Sequence, residues 1–133
     1  MCGYPVFREI YRLQVRKTAR FDENEYILLL TLKAGEHTGS RVSDVDLFRI
    51  RNAMPHLAET LKKSLRPGDA VAQFSDSQYV ILLSACTYEG GMLAANRIIS
   101  KFYQDHKVYR NLKIKIHIEK VKTAENILNK YSG

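Results

Sequence analysis

Residues 65–83 read LRPGDAVAQFSDSQYVILL and carry the strongest structural signal in the chain. Two runs of strand-like composition, Ala70–Phe74 and Gln78–Leu83, flank the turn-forming residues Ser75, Asp76 and Ser77. The stretch therefore predicts a β-hairpin. The four residues before it, 66–69, read Arg-Pro-Gly-Asp and predict a turn at the entry to the hairpin.

The flanking sequence predicts one strand on each side of the hairpin and helices between them. Tyr26–Leu32 is a continuous apolar run, which is typical of a strand buried on both faces. Helices are predicted over Tyr4–Arg20 and after the candidate N-caps Ser43 and Thr87. The last strand alternates charged or polar with apolar side chains, which predicts one wet face: Lys113, Ile114, Lys115, Ile116, His117 and Ile118.

The order helix, strand, helix, hairpin, helix, strand predicts a ferredoxin-like α/β sandwich. We expect a mostly antiparallel sheet with the helices on one face. The predicted inner face of the second helix comprises Leu47, Ile50, Met54, Leu57 and Leu61. That of the third helix comprises Met92, Ala95, Ile99 and Phe102. Pro55 lies within the second helix and predicts a kink or a break. A short closing helix is expected between Thr123 and Tyr131.

Composition places the chain among single globular domains. It has 133 residues, of which 45% are hydrophobic and 26% charged, so we treat 1–133 as one domain. No apolar run reaches the ~20 residues needed to cross a bilayer, and no secretory signal is visible. With two cysteines, Cys2 and Cys86, a reduced cytoplasmic setting is expected. Because the chain starts inside a helical pattern, we expect a C-terminal fragment of a longer protein.

The net charge of +7 is concentrated at the two ends of the chain. Along the first helix, four arginines recur at a spacing of four and form one stripe: Arg8, Arg12, Arg16 and Arg20. Such a stripe is either a solvated basic face or a contact for anionic groups on a partner or ligand. The lysines of the final strand are expected on the wet face of an edge strand.

The hairpin resembles the central hairpin of GGDEF domains, the bacterial diguanylate cyclases. That family has a Leu-Arg-x-x-Asp stretch, five residues, Gly-Gly-Asp/Glu-Glu-Phe and an apolar strand, which correspond here to Leu65–Asp69, Ala70–Phe74, the signature Ser75-Asp76-Ser77-Gln78-Tyr79 and Val80–Leu83. The whole segment resembles even more strongly the divergent GGDEF-like module at the C-terminus of some bacterial transcriptional activators (BTAD/SARP-like regulators). The resemblance implies upstream DNA-binding and activator domains in the same chain.

The signature loop departs from the family at the positions that carry its chemistry. Both glycines are absent, and Ser77 and the neutral Gln78 stand at the acidic positions. Thr31, with Leu30 and Leu32, occupies the part of the first strand where the family has a metal-binding aspartate. Magnesium prefers carboxylate or phosphate oxygens, and phosphoryl transfer depends on metal neutralisation of charge. We therefore expect no cyclase activity, no bound metal and no cofactor, with Asp76 an ordinary turn carboxylate.

Arg66 and Asp69 match the family's inhibitory site, an Arg-x-x-Asp that binds cyclic di-GMP five residues before the signature. An arginine can grip a phosphate bidentately, and an aspartate can accept guanine N–H groups. The alternative is structural, because Gly68-Asp69 is also good turn chemistry.

Four functions remain open from sequence. The first is an inactive regulatory or interaction domain of a bacterial transcriptional regulator, self-associating as a homodimer, with no membrane or direct DNA contact. The second is a cyclic di-GMP or other nucleotide sensor at Arg66 and Asp69. The third is RNA binding on a basic ferredoxin-like sheet, for which Phe74 and Tyr79 are the nearby aromatics. The fourth is a functional cyclase, which the signature loop disfavours.

Overall fold

The computed structural model describes residues 3, 5, 7–10, 25–35 and 44–121. Four strands and two long helices follow one another along the chain. Their bounds are β1 Tyr26–Lys33, α1 Asp44–Ser64, β2 Ala70–Ser75, β3 Gln78–Leu83, α2 Tyr88–Asp105 and β4 Lys113–Lys120. A short 3₁₀ helix, Lys107–Tyr109, joins α2 to β4. This order confirms the predicted strand, helix, hairpin, helix and strand.

The four strands form one antiparallel sheet in the order β2-β3-β1-β4. This is the ferredoxin-like arrangement, in which the first and third strands lie at the centre. Leu29 of β1 pairs with Val80 of β3 on one side and with His117 of β4 on the other. β4 is an edge strand whose lysines and His117 are exposed, as the alternation predicted.

β1 is buried on both faces because apolar layers cover both sides of the sheet. On one side, Leu28 and Leu30 of β1 pack with α1 and α2. On the other side, Ile27 and Leu29 pack with Phe7, which belongs to the helical residues 7–10. Period-2 alternation therefore sends neighbouring side chains of β1 into two different cores. The two long helices share one face, and the N-terminal helical residues lie against the opposite face.

Three details of the helices differ from the sequence predictions. Leu47 is 51% exposed, so the inner face of α1 is formed by the other four predicted residues, Ile50, Met54, Leu57 and Leu61. Helix α1 also continues through Pro55 to Ser64, which excludes a break there. The exposed proline ring tolerates this position because buried side chains on both sides of it hold the helix against the sheet.

Ala95 and Phe102 lie on the inner face of α2 as predicted, but the other two buried positions each lie one residue before the predicted ones. The buried residues are Gly91, Ala95, Ile98 and Phe102, whereas Met92 and Ile99 are only half-buried. A Cβ at Gly91 would lie 2.5 Å from the Ile118 side chain of β4. The glycine that weakens the helix therefore also allows it to approach the sheet. Thr87 caps α2 as predicted, accepting a hydrogen bond from the Gly90 N–H at 3.0 Å.

The remaining predicted elements lie partly outside the described residues. These include Ser43, most of the helix predicted over Tyr4–Arg20 and the closing helix of 123–131. None of the helices that the structure describes has the length and apolar character of a membrane span.

Candidate functional site

Asp69 links the turn before β2 to the end of β3. Its carboxylate accepts hydrogen bonds from the backbone N–H of Arg66 at 3.1 Å and from the backbone N–H of Ser84 at 3.1 Å. The Ser84 hydroxyl donates a third bond at 3.3 Å. Only 2% of the Asp69 side chain is exposed, so these internal donors take up its acceptor capacity. The carboxylate acts as a clamp between two segments of the chain.

The Arg-Pro-Gly-Asp segment forms the predicted turn. The Asp69 N–H donates to the Arg66 carbonyl at 3.0 Å, and Gly68 has a φ of 95°. Proline at the second position and a left-handed glycine at the third are the signature of a type II turn. The turn places the Arg66 side chain beside the end of β3.

The Arg66 guanidinium is anchored at one end and open at the other. It donates to the Ser84 carbonyl at 2.7 Å, and its Nε lies 3.6 Å from the Asp69 carboxylate. Its side chain remains 56% exposed. A cavity of about 290 Å³ begins beside it, between the end of α1, the turn and α2. Among the lining residues are Arg66, Asp69 and Arg97, the last of which the sequence reasoning did not single out.

Arg97 comes from α2, and only the packing of that helix beside the turn shows its proximity to Arg66. The two arginines place two guanidinium groups around a partly apolar cavity, an arrangement suited to phosphate or carboxylate groups. The floor includes Cys86, whose neighbour Ala85 has a φ of 49°. Burial raises the pKa of the Cys86 thiol, while the nearby Arg66 acts to lower it. Cys86 packs against the core, as expected of a small apolar side chain.

The signature loop at the other end of the hairpin is a two-residue turn. Asp76 and Ser77 connect β2 to β3, and the exposed Asp76 is the turn carboxylate that the sequence predicted. The Ser77 carbonyl accepts a hydrogen bond from the Leu32 N–H of β1 at 2.8 Å. A register shift between Gln73 and Ser75 marks a β-bulge just before the turn.

Neutral side chains form a hydrogen-bond chain between the signature and β1. The Gln78 amide Nε2 donates to the Thr31 hydroxyl at 3.1 Å. Its other end, Oε1, accepts from the Ser75 hydroxyl at 2.8 Å. The chain Thr31–Gln78–Ser75 links β1, β3 and the end of β2, and it carries no charge. Thr31 and Gln78 stand where the resemblance to GGDEF domains implies metal-binding carboxylates.

Tyr79, the last signature residue, belongs to the core. It is 2% exposed, and its hydroxyl donates to the Met54 carbonyl of α1 at 2.8 Å. Burial raises the pKa of this phenol. The side chain therefore joins the hairpin to the helix layer, next to Pro55.

The geometry opposes an RNA-binding sheet face. RNA-binding sheets of this topology stack bases on aromatics that share one open face. Here Tyr79 packs with the helix-side core and Phe74 with the opposite core. That opposite face is also covered by Phe7 and Val121. Phe74 and Tyr79 therefore do not share a face of the sheet.

Of the basic stripe, the structure describes Arg8, which is exposed. Arg12, Arg16 and Arg20 lie outside the described residues.

Two histidines lie close together in the structure. The rings of His56 and His106 are 4.6 Å apart, although fifty residues separate them in sequence. Glu59 lies beside them on α1.

Comparisons with known proteins give a likeness in structure. No protein-family model matches the sequence, and no curated protein matches it. The chain is similar to a crystal structure described as a DGC protein from Thermotoga maritima, with a TM-score of 0.63 and 16% sequence identity. The match covers 96% of this chain and 92% of that one. The chain therefore has the α+β fold of that protein, in agreement with the GGDEF-like fold expected from the hairpin.

Proposed function

We propose that this chain is a catalytically inactive GGDEF-like domain that works as a regulatory or interaction domain of a bacterial transcriptional regulator. The observation that carries the proposal is the uncharged chain Thr31–Gln78–Ser75, at the place where a diguanylate cyclase would hold its metal. The likeness in fold to a DGC protein makes that comparison of positions meaningful.

The chemical reason is charge. Transfer from a nucleoside triphosphate depends on divalent metal ions that neutralise the phosphates, and magnesium takes oxygen ligands, mostly from carboxylates, phosphates and water. Gln78 offers Thr31 an amide N–H, a group with partial positive charge, so it opposes a cation at this position. Asp76 is exposed in the turn and does not take part in the hydrogen bonds that join Thr31, Gln78 and Ser75. A metal ion would therefore find no carboxylate at Thr31, Ser77 or Gln78.

Without catalysis, the domain acts through contact. Its partners are the DNA-binding and activator parts expected upstream in the same chain and a second copy of the domain, in the cytoplasm. The basic residues at both ends of the sequence supply charge for such contacts.

The test is GTP turnover. Purified protein at high concentration is incubated with GTP and Mg²⁺ or Mn²⁺, and products are separated by mass spectrometry. We expect no cyclic di-GMP and no pyrophosphate above the buffer blank. A triple variant, Thr31→Asp, Ser77→Asp and Gln78→Glu, restores the missing carboxylates and serves as the matched comparison for metal binding. Metal-dependent product from the unmodified protein would refute the proposal.

A second candidate function is nucleotide sensing at the cavity beside Arg66. The favouring observation is that Arg97 and the half-exposed Arg66 line one cavity of about 290 Å³. Since the Asp69 carboxylate is engaged by Arg66 and Ser84, the two arginines would carry the recognition of phosphate, and Asp69 would hold Arg66 in place.

Calorimetry with cyclic di-GMP tests this candidate. If the cavity is a nucleotide site, Arg66→Ala and Arg97→Ala each weaken binding, because each removes a charge-assisted contact of about 1.5–3 kcal/mol. Arg110→Ala is the matched control, since Arg110 is an exposed arginine outside the cavity lining. Absence of heat with the unmodified protein, or equal binding by all three variants, excludes nucleotide sensing at this cavity.

A further inference from the structure

Three metal-ligating side chains converge where α1 passes the end of α2. His56 and Glu59 are three residues apart on α1 and so share a face of the helix. His106 caps the C-terminus of α2. One potential ligand atom from each residue lies within 4.8 Å of the others. We propose that His56, Glu59 and His106 form a binding site for a divalent transition-metal ion of the zinc class.

The donor set suits such an ion. Two imidazole nitrogens and one carboxylate are a common three-residue ligand set for zinc, which leaves a fourth position for water or another ligand. A tetrahedral zinc site with bonds of about 2.0–2.2 Å needs ligand atoms about 3.3–3.6 Å apart. The His56 Nδ1 and Glu59 Oε2 atoms are already 4.0 Å apart. The Glu59 side chain is 63% exposed and free to rotate, so closure asks for side-chain movements and leaves the helices in place.

One ligand atom lacks a partner in the present arrangement. The His56 Nδ1 atom is buried and makes no hydrogen bond, although 41% of the side chain as a whole is exposed. A buried polar atom without a partner costs about 1–3 kcal/mol. A metal ion bound to this nitrogen would remove that cost, which is an observation independent of the clustering itself.

The surroundings also favour a cation. The carbonyl end of a helix carries a partial negative charge, and the last turn of α2 contains no basic residue to balance it. His106 sits at that end. The rings of Phe102 and Tyr109 lie 5.5 and 6.4 Å from the His106 ring and give the site an apolar wall. An apolar wall restricts water and thereby strengthens metal–ligand interactions.

A cavity of about 300 Å³ adjoins the site on the side of the open coordination position. It is lined by Glu59 and His106 together with three basic residues, Lys63, Arg97 and Lys101. Lys101 is paired with Asp105 at 3.5 Å. Solvent and salt screen the charge of these exposed basic side chains, so they repel a free cation only weakly. The same side chains would attract an anion such as phosphate to the fourth position of the metal.

Zinc titration by calorimetry tests the site, with the complete chain in a chelator-free buffer. We expect one ion per chain, with a dissociation constant below about 100 µM. His56→Gln and His106→Gln should each weaken binding at least about 10-fold, because each removes one of three protein ligands. Glu59→Gln should weaken it in the same direction.

Two matched controls separate this site from other zinc ligands. His117→Gln removes a histidine on β4 that lies 3.2 Å from Glu119, and it should leave binding unchanged. Cys86→Ser removes a thiol and should also leave it unchanged. Far-ultraviolet circular dichroism confirms that each variant is folded without metal. Saturable binding that survives the double variant His56→Gln/His106→Gln, or no saturable binding by the unmodified chain, would overturn the proposal.

Discussion

Replacing Asp69 by alanine should destabilise the domain, because this buried carboxylate clamps two segments of the chain. The variant loses hydrogen bonds from the Arg66 and Ser84 backbone N–H groups and from the Ser84 hydroxyl. A hydrogen bond to a charged group contributes about 1.5–3 kcal/mol, but the donor on Arg66 is exposed and regains water. The ion pair with Arg66 adds at most about 1 kcal/mol, since that side chain is 56% exposed. The expected loss is about 2–4 kcal/mol in the free energy of unfolding.

Equilibrium urea unfolding measures this loss. The midpoint should fall while the slope stays the same, because the surface exposed on unfolding does not change. Asp76→Ala is the matched control at the opposite end of the hairpin. Asp76 is exposed in the turn, so its replacement should change the free energy of unfolding by no more than about 0.5 kcal/mol. Equal midpoints for Asp69→Ala and Asp76→Ala would refute the clamp.

Three further predictions concern single side chains. Gly91→Ala should change the free energy of unfolding by no more than about 1 kcal/mol, because its gain in helix propensity offsets the cost of turning the end of the Ile118 side chain, which lies 2.5 Å from the new methyl group; a loss above about 2 kcal/mol would contradict this balance. Tyr79→Phe should cost about 0.5–1.5 kcal/mol in urea unfolding, because it removes the buried hydrogen bond to the Met54 carbonyl; an unchanged midpoint would mean that this bond adds nothing. Burial raises the pKa of the Cys86 thiol, so less thiolate is present at pH 8 than in an unstructured peptide. Alkylation of Cys86 by iodoacetamide should therefore be slower than that of a peptide cysteine, and its rate should begin to rise only at a higher pH. Equal rates at each pH would contradict the burial.

The hairpin, the wet face of β4 and the burial of β1 on both faces follow from local patterns in the sequence. Alternation at residues 113–118 identifies one wet face, and the unbroken apolar run of β1 identifies a strand with two cores. The Arg-Pro-Gly-Asp turn is also local, because Pro67 and Gly68 preset its backbone. Such features need no knowledge of the rest of the molecule.

Other features depend on packing between distant segments. On α2, apolar spacing predicted Ala95 and Phe102 correctly but placed the other two buried positions one residue late. Gly91 adds nothing to an apolar pattern, yet it lets the helix approach β4. Helix α1 continues through Pro55 because tertiary contacts outweigh the local penalty.

The candidate sites show the same division. Arg66 and Asp69 are close in sequence and could be paired from their spacing. The approach of Arg97 to Arg66 and that of His106 to His56 depend on how α2 lies beside α1, which no spacing reveals.

We propose that uncharged side chains stand between β1 and β3 where a diguanylate cyclase has metal-binding carboxylates. The most direct measurement follows the amide NMR signals of Thr31, Ser77 and Gln78 during titration with Mn²⁺ and GTP together. Bound Mn²⁺ broadens the signals of nearby nuclei. We expect these three signals to stay sharp at saturating nucleotide. Selective broadening at these positions would show a metal–triphosphate complex bound to the hairpin and would contradict the proposal.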